Sequence, residues 1–163
     1  MLPEMKYKTF GHMNCSLAQT MSVIGERWTL LILRDAFLGV RRFAQFQRNL
    51  GIAKNILSNR LQQLVEHGIL EKVQHDGRHA EYLLTQKGLD LQPALLALTQ
   101  WGDKHMPDPR GERLIFIDRK SQKPIQPMAV VANDGRKLKP RDVSSVVGPA
   151  LTDDHRFKRG DSA

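Results

Sequence analysis

Cysteine and long hydrophobic runs are scarce in this 163-residue sequence. A single cysteine, Cys15, excludes an intramolecular disulfide and a cysteine-rich zinc site. Apolar runs such as Leu30 to Leu33 are far too short to span a membrane. The first twenty residues include Lys6 and Lys8 and contain no apolar segment of a secretory signal. The sequence therefore predicts a cytoplasmic protein that does not contact a membrane.

Motifs typical of an active site are also missing. No nucleophile–base spacing, glycine-rich phosphate loop or paired carboxylate motif stands out. His75, Asp76 and His79 are loosely spaced, and no other cysteine or histidine cluster supports reading them as metal ligands. We predict no enzymatic activity, no catalytic residue, no metal and no cofactor, although catalytic groups distant in sequence would leave no local motif.

Acidic residues are absent from one stretch of thirty residues. The whole chain has a formal net charge of +8, and 40% of its residues are apolar, enough for a core. Residues 36–65 contain no aspartate or glutamate and five basic residues: Arg41, Arg42, Arg48, Lys54 and Arg60. Such charge attracts phosphate and favours a polyanionic partner. A solvated basic face without a partner would have the same composition.

Periodic apolar residues predict four helices in the first half of the chain. Ser16 and Gln19 have the spacing of a capping box, and the helix they begin runs to Gly25. A second helix, from about Trp28 to Leu38, is apolar on several sides and is expected to be central and buried. A short third helix ends at Gly51.

The fourth predicted helix, from about Ala53 to His67, has two chemically different faces. The inward face carries Leu57, Leu61, Leu64 and Val65. The opposite face carries Asn55, Ser58, Asn59 and Gln62. Amides pair with adenine in the major groove, and the flanking Lys54 and Arg60 are suited to guanine or phosphate. An ordinary polar helix face would show the same spacing, so this helix alone does not decide between the two.

Two strands and a long helix follow. The strands are predicted at Ile69–Val73 and Glu81–Leu84, with a turn on Asp76 and Gly77 between them. The long helix is predicted from about Gln86 to His105, with an apolar stripe of Leu91, Leu95, Leu98 and Trp101.

This order of elements is typical of a winged helix-turn-helix. The third and fourth helices would form the helix-turn-helix, with the fourth reading DNA. The hairpin would be the wing, which places Arg78 near the DNA backbone or in a minor groove. Sequence order, charge and helix-face chemistry agree on this interpretation.

Residues 107–152 have a different character. Short strands are predicted at Arg113–Asp118, Ile125–Ala132 and Val143–Val147, and Asn133-Asp-Gly135 favours a hairpin. The predicted fold class is therefore mainly α with a β-hairpin wing, plus a small β-rich C-terminal extension. We expect a DNA-binding and dimerisation domain at 1–106, the extension at 107–152 and a disordered polar tail at 153–163.

A series of motifs in constant order resembles the HxlR family of winged helix-turn-helix transcriptional regulators. The matching blocks are Asn14-Cys-Ser16, the segment 24–35 containing Gly-Glu-Arg-Trp, the segment 39–46, Leu57-Ser-Asn-Arg-Leu61, the segment 64–70, Tyr82-x-Leu-Thr-x-x-Gly88 and Trp101-Gly102. The resemblance covers about residues 12–106. It departs from the family at Ala53, where members often have a serine cap whose loss costs roughly 0.5–2 kcal/mol.

The resemblance implies a homodimer related to MarR-type regulators, with the first and last helices in the interface. Two reading helices related by a two-fold axis would favour a near-palindromic operator. Several HxlR-type regulators sense electrophiles or oxidants through a cysteine at the position of Cys15, so this residue is a redox-sensor candidate. Its chemistry would be an intersubunit disulfide, a mixed disulfide or S-alkylation. Alternatively, Cys15 is an inert packing residue.

These observations predict a homodimeric, sequence-specific double-stranded DNA-binding regulator. One hypothesis is that it is a repressor responsive to thiol-reactive or oxidising species through Cys15. The predicted base-reading residues are Asn55, Ser58, Asn59 and Gln62, and the predicted backbone or wing contacts are Arg41, Arg42, Lys54, Arg60 and Arg78. The alternatives are a small-molecule-responsive regulator with an inert cysteine, a protein-interaction module that keeps the fold without DNA binding, and an enzyme or carrier that uses the extension.

Overall fold

The computed structural model describes residues 10–75, 77 and 79–151. Asp76 in the predicted turn, Arg78 on the predicted wing and the predicted disordered tail at 153–163 lie outside the described residues, as do Lys6 and Lys8. The described part divides into two units, residues 10–25 with 130–151 and residues 26–129. Neither unit ends at residue 106, and the domain boundaries expected from the sequence stay a prediction.

Six helices and two strands make up the regular structure of the described residues. They are α1 (Ser16–Ile24), α2 (Arg27–Phe37), α3 (Phe43–Leu50), α4 (Lys54–Glu66), β1 (Leu70–His75), β2 (His79–Leu84), α5 (Gln86–Leu89) and α6 (Gln92–His105). Short 3-10 turns lie at Phe10–His12, Pro140–Asp142 and Pro149–Leu151. None of the helices in this part of the chain is long and apolar enough to cross a membrane.

The core of the larger unit forms around α2, which contacts α3, β2 and α6. The largest fully buried side chains are Phe46, Ile32, Leu33, Leu57, Leu61, Leu64 and Leu70. Burying each side chain of this size contributes about 1.5–3 kcal/mol. The predicted central position of α2 and the predicted inward row of α4 are confirmed, with Val65 half-buried at the end of that row.

The turn between α3 and α4 requires glycine. Gly51 has a φ of 61°, in the left-handed region, and its N–H donates to the carbonyl of Gln47 at 2.9 Å. Ile52, the next residue, is buried and anchors the turn to the core. This left-handed residue ends α3 and redirects the chain into α4, as the glycine predicted.

The hairpin is joined to the beginning of α3. β1 and β2 pair antiparallel, with Leu70 opposite Leu84 and His75 opposite His79. On the other side of β2, the Tyr82 N–H donates to the carbonyl of Arg41 at 2.8 Å, and Arg42 forms a bridge with Glu81. Residues 41 and 42 are therefore attached to the other side of β2 by an isolated bridge and a backbone hydrogen bond.

Thr85 and Gly88 fix the end of the hairpin to the end of α4. The Thr85 hydroxyl donates to the carbonyl of Gly68 at 2.6 Å and accepts the N–H of Gly88 at 3.2 Å. A Cβ at the buried Gly88 would overlap the carbonyl oxygen of Ile69. The Tyr82-x-Leu-Thr-x-x-Gly88 motif therefore has a structural reason at both of its last two positions.

Two details of the predicted helices were wrong. The long helix expected from Gln86 to His105 is two helices, because Pro93 has no N–H to donate to Leu89 and α6 begins afresh with Pro93 in its first turn. The capping box on Ser16 is absent, since the N-cap of α1 is Cys15. The Gln19 side chain instead donates to the carbonyl of Met13 at 2.9 Å.

The predicted strands of the extension are not formed. Residues 107–151 contain two isolated bridges, Ile117 with Pro124 and Val131 with Lys137, and no buried residue. Asp118 accepts the N–H groups of Lys120 and Ser121, and such bonds from a side chain to the backbone compete with strand ladders. The extension is thus a series of turns rather than β-rich.

Candidate nucleic-acid interface

The outer face of α4 presents polar side chains to solvent. Its four predicted base-reading residues are all exposed: Asn55, Ser58, Asn59 and Gln62. They lie opposite the buried leucines because the two rows alternate with helical periodicity. The amide of Gln62 donates to the carboxylate of Glu66 at 2.8 Å, which orients it along the helix. The structure thus brings the four residues together on one open surface.

The predicted backbone-contacting cations differ in their solvent exposure and in whether they form ion pairs within the protein. Arg41 and Lys54 are exposed and form no ion pair with described residues. Arg42 is also exposed, but its Nε lies 3.4 Å from the carboxylate of Glu81 on the hairpin. Part of its charge is therefore compensated within the protein.

Arg60 has a different environment from the other predicted cations. Its side chain is only 18% exposed, and Nη2 lies 3.1 Å from the carboxylate of Glu26. Nη1 donates to the amide oxygen of Gln63 at 2.7 Å, and Nε is buried without a hydrogen-bond partner. The guanidinium therefore joins α4 to the start of α2. It is engaged within the protein and is not presented on the open surface of α4. No local pattern could show this, because Glu26 is on a different helix.

A second ionic group that the sequence patterns did not reveal lies on α2. Asp35 is 3% exposed and accepts two hydrogen bonds from Arg34, the shorter at 2.7 Å. Its backbone carbonyl accepts the N–H of Val40 at 3.0 Å, just before residues 41 and 42, which contact β2. A buried carboxylate needs such a cationic partner to remain charged at acceptable cost. This pair supports the connection from which Arg41 and Arg42 project.

The helices expected at the dimer interface expose apolar side chains. On α6, Leu98 is 55% and Trp101 57% exposed, and α6 has no buried residue. On α1, Leu17 is 67% exposed. Large apolar side chains exposed on a helix are typical of a surface that another protein covers.

Cys15 lies at the first turn of α1. It is half-buried, and its backbone carbonyl accepts the N–H of Gln19 at 2.9 Å as the helix begins. Its side chain does not cap the helix. The thiol is thus partly accessible beside a helix terminus whose first amides lack a side-chain acceptor.

Comparisons with known proteins agree with this architecture. The family model described as HxlR-like helix-turn-helix matches residues 23–110. The HTH-type transcriptional regulator Rv3095 of Mycobacterium tuberculosis (strain H37Rv) is 41% identical over 138 residues, which are 83% of this chain and 87% of the relative.

Two solved structures extend the comparison. The candidate transcription factor PA1607 is 42% identical with a TM-score of 0.77, over 83% of this chain and 96% of its own. The redox regulator HypR in its reduced form is 28% identical with a TM-score of 0.53, over 56% of this chain and 94% of its own. The family match covers more than half of the chain, and PA1607 has a similar fold over most of its length. The chain therefore belongs to the HxlR-like helix-turn-helix family of transcriptional regulators and has the winged helix-turn-helix fold.

Proposed function

We propose that this chain is a homodimeric transcriptional regulator that binds double-stranded DNA sequence-specifically through α4. The observation that carries the proposal is the exposed row of three amides and a hydroxyl on α4, opposite its buried leucines. In a helix-turn-helix the second helix enters the major groove, where amides read adenine. The row begins in the first turn of α4, the part of a reading helix that approaches base edges.

The backbone contacts in this proposal come from the exposed cations. Lys54 carries exposed positive charge at the start of α4, and Arg41 carries it just before α3. Arg42 contributes the part of its charge that Glu81 leaves uncompensated. Arg78, which the sequence predicts on the wing, completes the proposed set. Arg60 is left out because Glu26 already occupies its guanidinium.

A test of base reading compares two asparagines. Binding of the purified protein to a short duplex from the upstream region of its own gene would be measured by fluorescence anisotropy, alongside a scrambled duplex. Asn59→Ala should weaken binding to the specific duplex by about 1–3 kcal/mol and leave the scrambled duplex unaffected. Asn133→Ala, an exposed asparagine of the extension, is the matched control. An equal loss on both duplexes would remove Asn59 from base reading.

The phosphate contacts have a separate signature in salt. Arg41→Gln should weaken binding to both duplexes and reduce the dependence of affinity on salt by about one charge. If wild-type affinity does not depend steeply on salt and Arg41→Gln leaves that affinity unchanged, a protein-interaction module is favoured over a DNA-binding protein.

Dimerisation follows from the exposed stripe of α6 and from the family resemblance. A two-fold dimer would present two copies of α4 to a near-palindromic operator. Leu98→Glu should shift the protein towards monomer in analytical ultracentrifugation, because it places a charge in an apolar interface. Val146→Glu alters a more exposed valine, 89% accessible in the extension, and should leave the mass unchanged. A monomeric wild-type protein would contradict this part of the proposal.

We also propose that Cys15 makes the regulator responsive to oxidants, acting in the cytoplasm as a repressor. Its support is its partly accessible position at α1 and the likeness to the redox regulator HypR. Diamide would oxidise two thiols, one from each subunit, to a disulfide. Treatment should abolish DNA binding by wild type and not by Cys15→Ser. Binding that ignores treatment would leave Cys15 inert and favour a regulator controlled by a small molecule.

A further inference from the structure

An ion pair between the start of α2 and the middle of α4 lies beside the proposed reading face. Glu26 is the N-cap of α2, and its carbonyl accepts the N–H of the buried Thr29 at 2.9 Å. Its carboxylate lies 3.1 Å from Nη2 of Arg60 on α4. Because α2 lies at the centre of the core, this ion pair ties α4 to a point that the core holds in place.

Arg60 occupies one edge of α4, between its buried and exposed rows. It follows Leu57 of the buried row by three positions and Asn59 of the exposed row by one, so helical periodicity places it between them. The helix packs on α3 and β1, and its buried leucines make apolar contacts, which have no preferred direction. An ion pair at one edge does have a direction, and it opposes rolling of α4 about its own axis.

A roll of α4 would move the exposed row directly. The ends of side chains lie about 5–6 Å from the axis of a helix, so a roll of about 10° moves them by about 1 Å. A binding group has to be held within about 0.5 Å of its productive position. A small change in the roll of α4 is therefore enough to misalign Asn59 and its neighbours with the edges of bases.

The surroundings of Arg60 are better suited to orienting the helix than to stabilising the fold. Nη1 donates to Oε1 of Gln63 at 2.7 Å while Nη2 contacts Glu26, so the planar guanidinium is held at two points. Nε is buried without a hydrogen-bond partner among the described residues, which costs free energy. Well-packed apolar residues in place of a buried ion pair often give equal or greater stability. The pair therefore gives α4 a direction at little net gain in stability.

We propose that Glu26 and Arg60 are positioning residues, which set the roll of α4 and thereby the discrimination between specific and random DNA. This inference rests on the proposed function of α4. Neither residue contacts DNA, and both act through the exposed row. Loss of the pair lowers the affinity for a specific duplex but leaves the contacts with phosphates, and hence the salt dependence, unchanged.

The first test measures the specificity ratio, the affinity for the specific duplex divided by that for the scrambled duplex, by fluorescence anisotropy. Glu26→Gln should reduce this ratio about tenfold, comparable to the loss of one well-aligned base contact. Glu112→Gln removes the same charge from an exposed position of the extension and should keep the ratio of wild type. Both variants should bind the scrambled duplex equally well. A ratio that Glu26→Gln leaves unchanged would overturn the proposal.

A double variant separates positioning from stability. Glu26→Met combined with Arg60→Met replaces the ion pair by apolar side chains, and it should unfold in urea at a midpoint close to that of wild type. Its specificity ratio should nevertheless fall about tenfold, because apolar contacts do not fix the roll of α4. If this folded variant discriminates between the duplexes as well as wild type does, the ion pair has no positioning role.

Two single substitutions of Arg60 separate positioning from a phosphate contact. Arg60→Lys keeps the charge, but an ammonium lacks the planar fork that holds Glu26 and Gln63 together. Positioning predicts that Arg60→Lys and Arg60→Gln both lower the specificity ratio and keep the salt dependence of wild type. A phosphate contact predicts normal binding by Arg60→Lys and a salt dependence reduced by about one charge in Arg60→Gln, and that pattern would refute the proposal.

The orientation of α4 is measurable without DNA. Residual dipolar couplings of backbone N–H groups report the direction of α4 relative to α2, and Glu26→Gln should change it by about 10° or more. Identical couplings in wild type and variant would contradict the proposal. Failure of the proposed function has a different signature, since wild type itself would then not discriminate between the two duplexes. The couplings decide in either case whether the ion pair orients the helix.

Discussion

The helix-turn-helix core (residues 26–90) and the extension (residues 107–151) are built in different ways. The core contains a set of side chains that are at most 1% exposed, drawn from three helices and a strand. The extension contains no buried residue and is organised by hydrogen bonds to aspartate side chains. In the core, the hydrophobic effect selects the conformation, whereas in the extension local polar contacts do so.

Three aspartates repeat the same turn along the extension. Asp108, Asp118 and Asp134 each accept the N–H of the residue two positions later, at 3.0–3.1 Å. Hydrogen bonds from Arg110 to Asp108, from Ser121 to Asp118 and from Arg136 to Asp134 lower the pKa of each carboxyl. The comparison teaches that an apolar run such as 113–118 does not become a strand where a neighbouring aspartate can turn the chain first.

The largest predicted effect separates two phenylalanines. Phe46→Ala should lower the free energy of unfolding by about 3–5 kcal/mol, because Phe46 is fully buried. Phe116→Ala, at a half-buried position of the extension, should cost about 1 kcal/mol or less, like most surface substitutions. Urea denaturation of the two variants measures the difference. Similar losses would mean that the extension is part of the same cooperative core.

Two glycines test how tightly the backbone is packed in the core and in α6. Gly88→Ala should destabilise the protein by about 1–3 kcal/mol, since its Cβ would overlap the carbonyl oxygen of Ile69. Gly102→Ala places a methyl group inside α6, where it would meet only the end of the Met106 side chain at an ordinary 3.9 Å. It should stabilise by about 0.5–1 kcal/mol through helix propensity. Thermal unfolding checks both signs, and a shift of the same sign in both would contradict this account.

The ionic contact between α2 and α4 has an intermediate expected effect. Glu26→Gln should cost about 1–2 kcal/mol, because it leaves the largely buried guanidinium of Arg60 with a neutral partner. Glu66→Gln removes an exposed carboxylate from α4, the helix that carries Arg60. It should change the free energy of unfolding by less than about 0.5 kcal/mol. Equal effects in urea denaturation would show that the contact with Glu26 adds nothing beyond a surface charge.

The smallest effect concerns protonation in the extension. Hydrogen bonds from Arg110 lower the pKa of Asp108 from 3.8 to about 2. Because the pKa of Asp108 is lowered in the folded protein, its carboxylate stabilises the turn fully at pH values above the ordinary pKa of 3.8. This stabilisation is lost as the pH falls through about 2. An NMR titration of the carboxyl carbon should show this midpoint, and Arg110→Ala should move it upwards. A wild-type midpoint near 3.8 would show that the hydrogen bonds from Arg110 to Asp108 are not formed in solution.

The sequence predicted those parts of the fold that depend on local patterns, such as the spacing of apolar residues along a helix or a glycine at its end. The leucine spacing of α4 placed its buried and exposed faces correctly, and Gly51 correctly ended α3. The split between α5 and α6 was missed because the apolar stripe continues across Pro93 although its hydrogen bond cannot.

The candidate interface was predictable to the same extent. The exposed amides follow from helical spacing, so the sequence located them. The ion pair of Arg60 joins residues on different helices, which spacing along one helix does not report. The turns of the extension were not foreseen either, because side-chain hydrogen bonds to the backbone, such as those of Asp118, replace the expected strands.

The contact of residues 41 and 42 with β2 fixes the distance between the hairpin and the start of the helix-turn-helix. The Tyr82 N–H to Arg41 carbonyl bond ties the hairpin to the start of α3, and the Thr85 hydroxyl ties its far end to the residues after α4. The hairpin and α4 are thus fixed to each other at two points. For DNA bound as proposed, the separation between the contact of α4 in one groove and that of the hairpin beside it is a constant of the protein. Selection of a binding site then includes the local groove width and helical twist that match this separation.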